Sequence, residues 1–303
     1  MKTINWKRPN RVILQGIAEP MVSHYAARMK AYGTEIVAGI SAGRGGGEIE
    51  QIPVFDLVED AIAHVGEVEA TLIFEPPYQV LDAALEAIAA GIRQVIVLSA
   101  GVPPLDVAHL LSHAQKTNTL LLGPGSNGIL IPEQLCLGTF NPVCYQAGNV
   151  GIIGRSSHMC DEVALALNRA GIGQSLIVSL GKDRIIGSGF PQWLPILEAD
   201  DATKAIVLIV KSDNAQEEAA AYYLNSERTK PVIAYLAGLR APRERIFLNA
   251  ATIIANQLSY SVAFTKTERQ TVAAFKEAGI EMAKKPSELP SFLNKVLSKT
   301  EKK

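Results

Sequence analysis

The span from Gly151 to Glu162 gathers Arg155, Ser156, Ser157, His158 and Cys160, the densest set of reactive or anion-binding side chains in the sequence. An apolar run, Val150 to Ile153, stops at a small polar turn, and helical spacing follows from Met159 to Ala170. That order reads as a strand, a tight turn and a helix start. The first amides of a helix lack intrahelical partners, and the helix dipole directs its positive end outward. Arg155, Ser156 and Ser157 add donors at that point, so the turn suits a phosphate or a carboxylate. Simple capping by serine is the competing reading for the hydroxyls. His158 stands in the same turn, where a neutral imidazole would offer a nitrogen to a phosphoryl group; the plainer reading is a partly exposed cap residue. Cys160 is either a thiol activated by the helix start or a small buried packing residue.

The elements that must position this turn are those of a core-rich globular chain. The 303 residues are enough for two domains, with 48% hydrophobic and 19% charged residues and a net charge of −1. So neutral a balance argues against nucleic acid as the main partner. Cys136, Cys144 and Cys160 are odd in number and widely spaced, which gives neither a disulfide framework nor a zinc pattern and makes a reducing cytoplasm the expected location. His24, His64, His109 and His113 have no companions in a ligand spacing and read as surface or packing residues, so no metal site is expected. Met21, Trp6 and Trp193 read as core or edge packing. The polar N-terminus lacks a signal-peptide core, and no apolar run approaches the roughly 18 residues of a membrane span.

Short apolar runs alternate with helical patterns along the chain. Strands are expected at 11–16, 35–40, 70–74, 95–98 and 120–122, with helices over 21–31, 80–90 and 105–114. An irregular stretch from about Pro132 to Asn149 reads as a domain connection. The second half repeats the rhythm, with strands at 150–153, 175–178, 205–210 and 232–236. Its helices fall at 159–170, 191–199, 215–224, 267–278 and 287–297. Alternation of this kind specifies an α/β protein with parallel sheets covered by helices. The glycine-rich turns all follow strands, at the carboxyl edge where open sheets collect ligands, although such a segment can also be only a turn.

The wording of these turns resembles the succinyl-CoA synthetase α-subunit family, and more broadly the nucleotide-forming acyl-CoA ligases. The matching segments are collinear over about residues 10–298. They include Val12 to Gly16, Ala42 to Gly46, Gly101 to Pro103, Gly123 with Pro124, Gly154 to Ser156, Gly173 to Ser175, Asp183 with Gly187, Ser188 and Phe190, Glu217 to Tyr222, and Thr229 to Val232. The resemblance implies a Rossmann-like CoA-binding-type domain over 1–147 and a flavodoxin-like parallel-sheet ligase domain over 148–303. It implies CoA contacts at Gly16, Ser99 and Gly101, with Arg44 where the family carries a lysine that meets a CoA phosphate. Arginine can take that role, even bidentately. It also implies an ATP-grasp β subunit that supplies the ATP or GTP site, a small carboxylate or acyl-CoA as substrate, and no metal on this chain. In the family a phosphohistidine swings between two active sites to make an acyl phosphate, which the CoA thiolate then attacks.

The chain departs from that pattern in linked places. The family's phosphorylated histidine lies in a Gly-His-Ala-Gly-Ala segment, and Asn249 stands at its position here. An amide has no basic ring nitrogen and cannot form the phosphoramidate. The glutamate that supports the histidine in the family corresponds to about Lys211. The turn after the first strand reads Ile17 to Val22 and lacks the family's glycines; Glu19 adds a carboxylate and Pro20 removes an amide donor. Ala100 stands where the family usually has an acidic residue. The expectation is a weakened or altered CoA site. Three functions follow: a CoA ligase subunit working without the usual phosphohistidine step; a catalytically degenerate paralogue that binds a ligand or serves assembly or regulation; and a lyase- or transferase-like complex using CoA chemistry.

Overall fold

The computed structural model describes residues 6–211, 224, 228–237 and 264–300. The first domain is built from β1 (Arg11–Gln15), α1 (Val22–Ala31), β2 (Glu35–Ile40), β3 (Glu48–Ile49), β4 (Ile52–Phe55), α2 (Val58–Val65), β5 (Ala70–Ile73), α3 (Val80–Ala89), β6 (Gln94–Val97), α4 (Pro104–Thr117) and β7 (Leu120–Leu122). Its strands form one seven-stranded sheet in the order β3-β4-β2-β1-β5-β6-β7. All neighbours are parallel except the short β3–β4 pair. β5 and β6 are buried along their whole length, as parallel strands covered on both faces must be.

The second sheet runs β14-β13-β12-β10-β11-β8-β9. Its members are β8 (Gly128–Ile131), β9 (Leu135–Gly138), β10 (Ala147–Gly154), β11 (Gln174–Ser179), β12 (Ala205–Lys211), β13 (Val232–Ala237) and β14 (Glu281–Ala283). The helices are α5 (Ser157–Asn168), α6 (Phe190–Ala199), α7 (Phe264–Glu277) and α8 (Leu289–Thr300). The five strands β10 to β14 pair in parallel, and the hairpin β8–β9 joins β11 antiparallel.

The stretch expected as an irregular connection is therefore partly sheet. Residues 128–138 precede position 148 in the chain, yet they hydrogen-bond into the second sheet. They also pack on the first domain. Thr34 Oγ1 donates to Cys136 O at 2.6 Å, and Arg28 Nη2 donates to Thr139 O at 2.8 Å. The hairpin closes tightly because both its ends are glycine: a Cβ at Gly128, where φ is +95°, would fall 1.7 Å from Leu137 O. β3, β4, α2 and β14 have no counterpart among the expected elements. The helix expected at 215–224 lies almost wholly outside the described residues, with only Leu224 inside them.

Trp193 is fully buried and meets Trp6 at 5.8 Å between ring centroids, as edge and core packing required. Met21 differs from its expected packing role. It is 60% exposed and holds φ +70° as the residue before α1, so the turn that starts the helix pushes its side chain outward.

Candidate functional site

Each sheet has one point where strand order reverses. From β1 the chain moves to β2 on one side, and β5 lies on the other; from β10 it moves to β11 on one side, and β12 lies on the other. A crevice opens at the carboxyl end of a strand so placed, and ligands of open α/β sheets bind there. Gly16 follows β1, and Arg155 follows β10.

The first-domain edge brings two of the expected residues, Gly16 and Ser99, against Glu75. Gly16 holds φ +80°, and a Cβ there would lie 2.8 Å from Glu75 N, so only glycine fits the approach. Its N–H donates to Ile40 O at 2.9 Å. Ser99 Oγ donates to Glu75 O at 2.6 Å. Gly101, at φ +79° and exposed, donates its N–H to Asp183 Oδ2 at 2.8 Å. Arg44 lies on the exposed turn after β2, the neighbour of β1; the Asp56 carboxylate holds that turn by accepting the N–H groups of Arg44 at 3.1 Å and Gly45 at 2.9 Å.

This edge is electrostatically acidic. Burial pushes the Glu75 carboxyl above its ordinary range, and the neighbouring charges of Glu19 and then Glu86 raise it further. Glu19 sits in the turn closing on Gly16, where its N–H donates to Gly16 O at 3.0 Å. The helix start is not capped by that carboxylate: Met21 is the residue before α1, and the first turn of α1 carries no acidic side chain.

The second-domain edge carries a buried cation. Arg155 is 2% exposed and donates from Nη2 to Asp183 O at 2.9 Å. Its own N–H reaches Ile209 O at 3.2 Å, which ties the turn to β12. Ser156 occupies the cap position before α5 with extended backbone and makes no side-chain cap hydrogen bond, so the serine-capping alternative is not realised by its hydroxyl. Ser157 begins α5, and His158 is exposed on its first turn. Cys160 is fully buried, and burial drives its thiol far above the ordinary value, with Asp161 adding to the rise. That is the inert packing thiol, not a nucleophile. His24, His64, His109 and His113 are all exposed. Among the described residues, no three His, Cys, Asp or Glu side chains converge as metal ligands, and no helix is long and apolar enough to cross a membrane.

Asn249 lies outside the described residues. Lys211 ends β12, with Ala237 of β13 as its backbone partner. The sequence reading did not single out Glu75 or give Asp183 a role of its own. Glu75 follows a buried strand and precedes two prolines, a signal for a carboxylate at the sheet edge; Asp183 reaches its partner across 82 residues, which no local pattern reveals.

Two mostly parallel sheets, in contact where the turns after β6 and β7 meet the loop after β11, define an α/β protein of the CoA-binding and flavodoxin-like kind. Residues 7–101 match the family described as CoA binding domain, and residues 147–294 match that described as succinyl-CoA ligase like flavodoxin domain. The chain is 34% identical over 287 residues to subunit alpha 2 of the ADP-forming succinate–CoA ligase of Archaeoglobus fulgidus, covering 95% of this chain and 97% of that one. It is 32% identical over 292 residues to the corresponding alpha subunit of Aquifex aeolicus, covering 96% and 93%. It is also 28% identical over 293 residues to the ADP-forming sulfoacetate-CoA ligase subunit SqwL of an Acholeplasma species, covering 95% and 96%. The chain belongs to the succinate–CoA ligase α-subunit family. Among solved structures, ATP citrate lyase of Methanosaeta concilii in complex with (3S)-citryl-CoA shares the fold at a TM-score of 0.81 and 20% identity. That likeness covers 95% of this chain and 49% of the other, so the chain spans about half the length of that lyase.

Proposed function

We propose that this chain is the α-type half of a nucleoside-diphosphate-forming acid–CoA ligase assembly. CoA binds at the carboxyl edge of the first sheet, around Gly16, Ser99, Gly101 and Arg44. A small carboxylate or its acyl derivative is handled where that edge meets the anion-suited turn at Arg155, Ser156 and Ser157. ATP or GTP is bound by a separate ATP-grasp β subunit. The domains divide near residue 148, apart from the early hairpin β8–β9. The observation that supports this reading is the contact between the turn after β6 in the first sheet and the turn after β10 in the second, both of which Asp183 touches, through Gly101 and Arg155. The relatives named as ADP-forming ligases of succinate and of sulfoacetate support the carboxylate class.

Acyl activation proceeds without a phosphohistidine at the family's position, because Asn249 stands there. Asn249→His alone does not create one, since Lys211 supplies no carboxylate to orient the ring. Acid-labile phosphate at one equivalent on that variant, with ATP and the β subunit, contradicts this. The same two residues favour a second reading, a catalytically degenerate subunit that keeps the ligand site for assembly or regulation. His158 as a substitute phosphoryl carrier is tested by His158→Asn, which must leave acid-labile phosphate unchanged if the residue is only a cap.

Calorimetric titration of CoA into the full chain, beside Arg44→Ala, tests the ligand assignment. Saturable binding that weakens in the variant supports it. A folded protein that takes up no CoA refutes it.

A further inference from the structure

The loop between β11 and α6, residues 180–189, forms the seam between the domains at their ligand edges. Gly187 N–H donates to Gly123 O at 2.7 Å, and Lys182 N–H donates to Gly125 O at 3.1 Å. Ser126 Oγ donates to Ser179 O just before the loop. A Cβ at Gly181 would lie 2.3 Å from Pro124 O, and one at Gly187 would lie 2.3 Å from Leu121 O. The loop therefore rests on first-domain backbone with no room for a side chain at positions 181 and 187.

This close fit fixes where Asp183 points. Its Oδ1 would stand 3.0 Å from a Cβ placed on Gly125, so the carboxylate lies over a position that only glycine leaves open. Its Oδ2 accepts the Gly101 N–H at 2.8 Å, and its backbone carbonyl accepts Arg155 Nη2 at 2.9 Å. Gly101 is exposed in the turn after β6, four residues beyond Val97 and three before α4 begins. An anionic group arriving at this turn would seek the same N–H that the carboxylate holds. Two anions do not share one N–H at hydrogen-bond distance, and their like charges repel across a few ångströms.

We propose that Asp183 is a specificity-determining residue of the first-domain ligand edge: its carboxylate occupies the Gly101 N–H and disfavours ligands that place negative charge there. The proposal deepens the CoA assignment above and rests on it. A CoA phosphate reaches the Gly101 turn only by displacing Asp183.

The test is a calorimetric titration of CoA into the full-length wild type and Asp183→Asn. The amide keeps the shape and an acceptor oxygen for Gly101 but removes the charge. The expected result is CoA binding about 3- to 10-fold tighter in the variant, with the gain shrinking as salt screens the carboxylate. A residue with only a structural role would give unchanged or weaker binding, and that result from a folded variant overturns the proposal while wild-type binding leaves the CoA assignment standing. If the wild type takes up no CoA, the CoA assignment fails; a variant that then gains binding still supports the role of Asp183, and one that does not overturns both. Should Asp183→Asn fail to fold, the Gly101 amide resonance of the wild type decides: it must move on CoA addition, and a stationary resonance at CoA saturation overturns the proposal.

Discussion

The two ligand edges share a backbone plan and differ in charge. At the first, Gly16 closes the turn after β1 with its amide on Ile40 O, and the exposed Gly101 amide meets the Asp183 carboxylate, with Glu19 and Glu75 adding carboxylates to the same edge. At the second, a buried guanidinium, Arg155, anchors the turn before α5. The backbone plan of such an edge and its charge are separate properties. Backbone geometry at a sheet reversal point supplies donors, while the side chains around them decide how much negative charge the donors can accept. The first edge carries carboxylates; the second carries a buried guanidinium.

Breaking the shared backbone plan is expected to have the largest effect. Gly16→Val forces a branched side chain into φ +80° and against Glu75 N, 2.8 Å from the new Cβ. It should cost about 2–4 kcal/mol in urea unfolding and abolish CoA binding. Next comes the cation. Arg155→Met removes the donor to Asp183 O and should cost about 1–3 kcal/mol, loosening the 180–189 loop to proteolysis. The smallest change sharpens the contrast in charge: Glu19→Gln should leave stability nearly unchanged and tighten CoA binding by about 2- to 5-fold at low salt. Loss of affinity in that variant would mean Glu19 supports the ligand instead of opposing it.

Much of this arrangement was legible in the sequence for physical reasons. β1, β2, β5, β6 and β7 are short apolar runs closed by glycine, proline or serine, and their helices have regular apolar spacing. β3 and β4 escaped because two- and four-residue strands interrupted by Pro53 carry no periodic signal. The β8–β9 hairpin escaped because Gly128 and Pro132 read as turn residues, whereas the sheet uses the first as a close-approach point. Gly16, Ser99, Gly101 and Arg155 were visible as turn residues after strands. What joins them was not: Glu75 meets Gly16 across 59 positions of sequence, and Asp183 meets Gly101 across 82, so both contacts exist only after the sheets have formed.

The acidic cover on the first edge has a pH signature. The Glu75 carboxyl is raised in the folded chain, first by burial and then by Glu19 and Glu86. The folded state thus binds this proton more tightly than the unfolded chain. Its ionisation penalty is absent below the ordinary carboxylate range, grows as pH rises through the raised value, and is complete above it. The same proton neutralises a charge beside the ligand turn. The most direct measurement is therefore the CoA affinity of the wild type and of Glu75→Gln, taken from about pH 4.5 to about pH 8 at constant ionic strength. The ionisation of CoA itself cancels in the ratio of the two. Both proteins are expected to bind CoA, Glu75→Gln more tightly at neutral and alkaline pH, and the two converge in acid as Glu75 takes up its proton. No CoA binding by either protein, or a ratio that stays at one across the range, would contradict this.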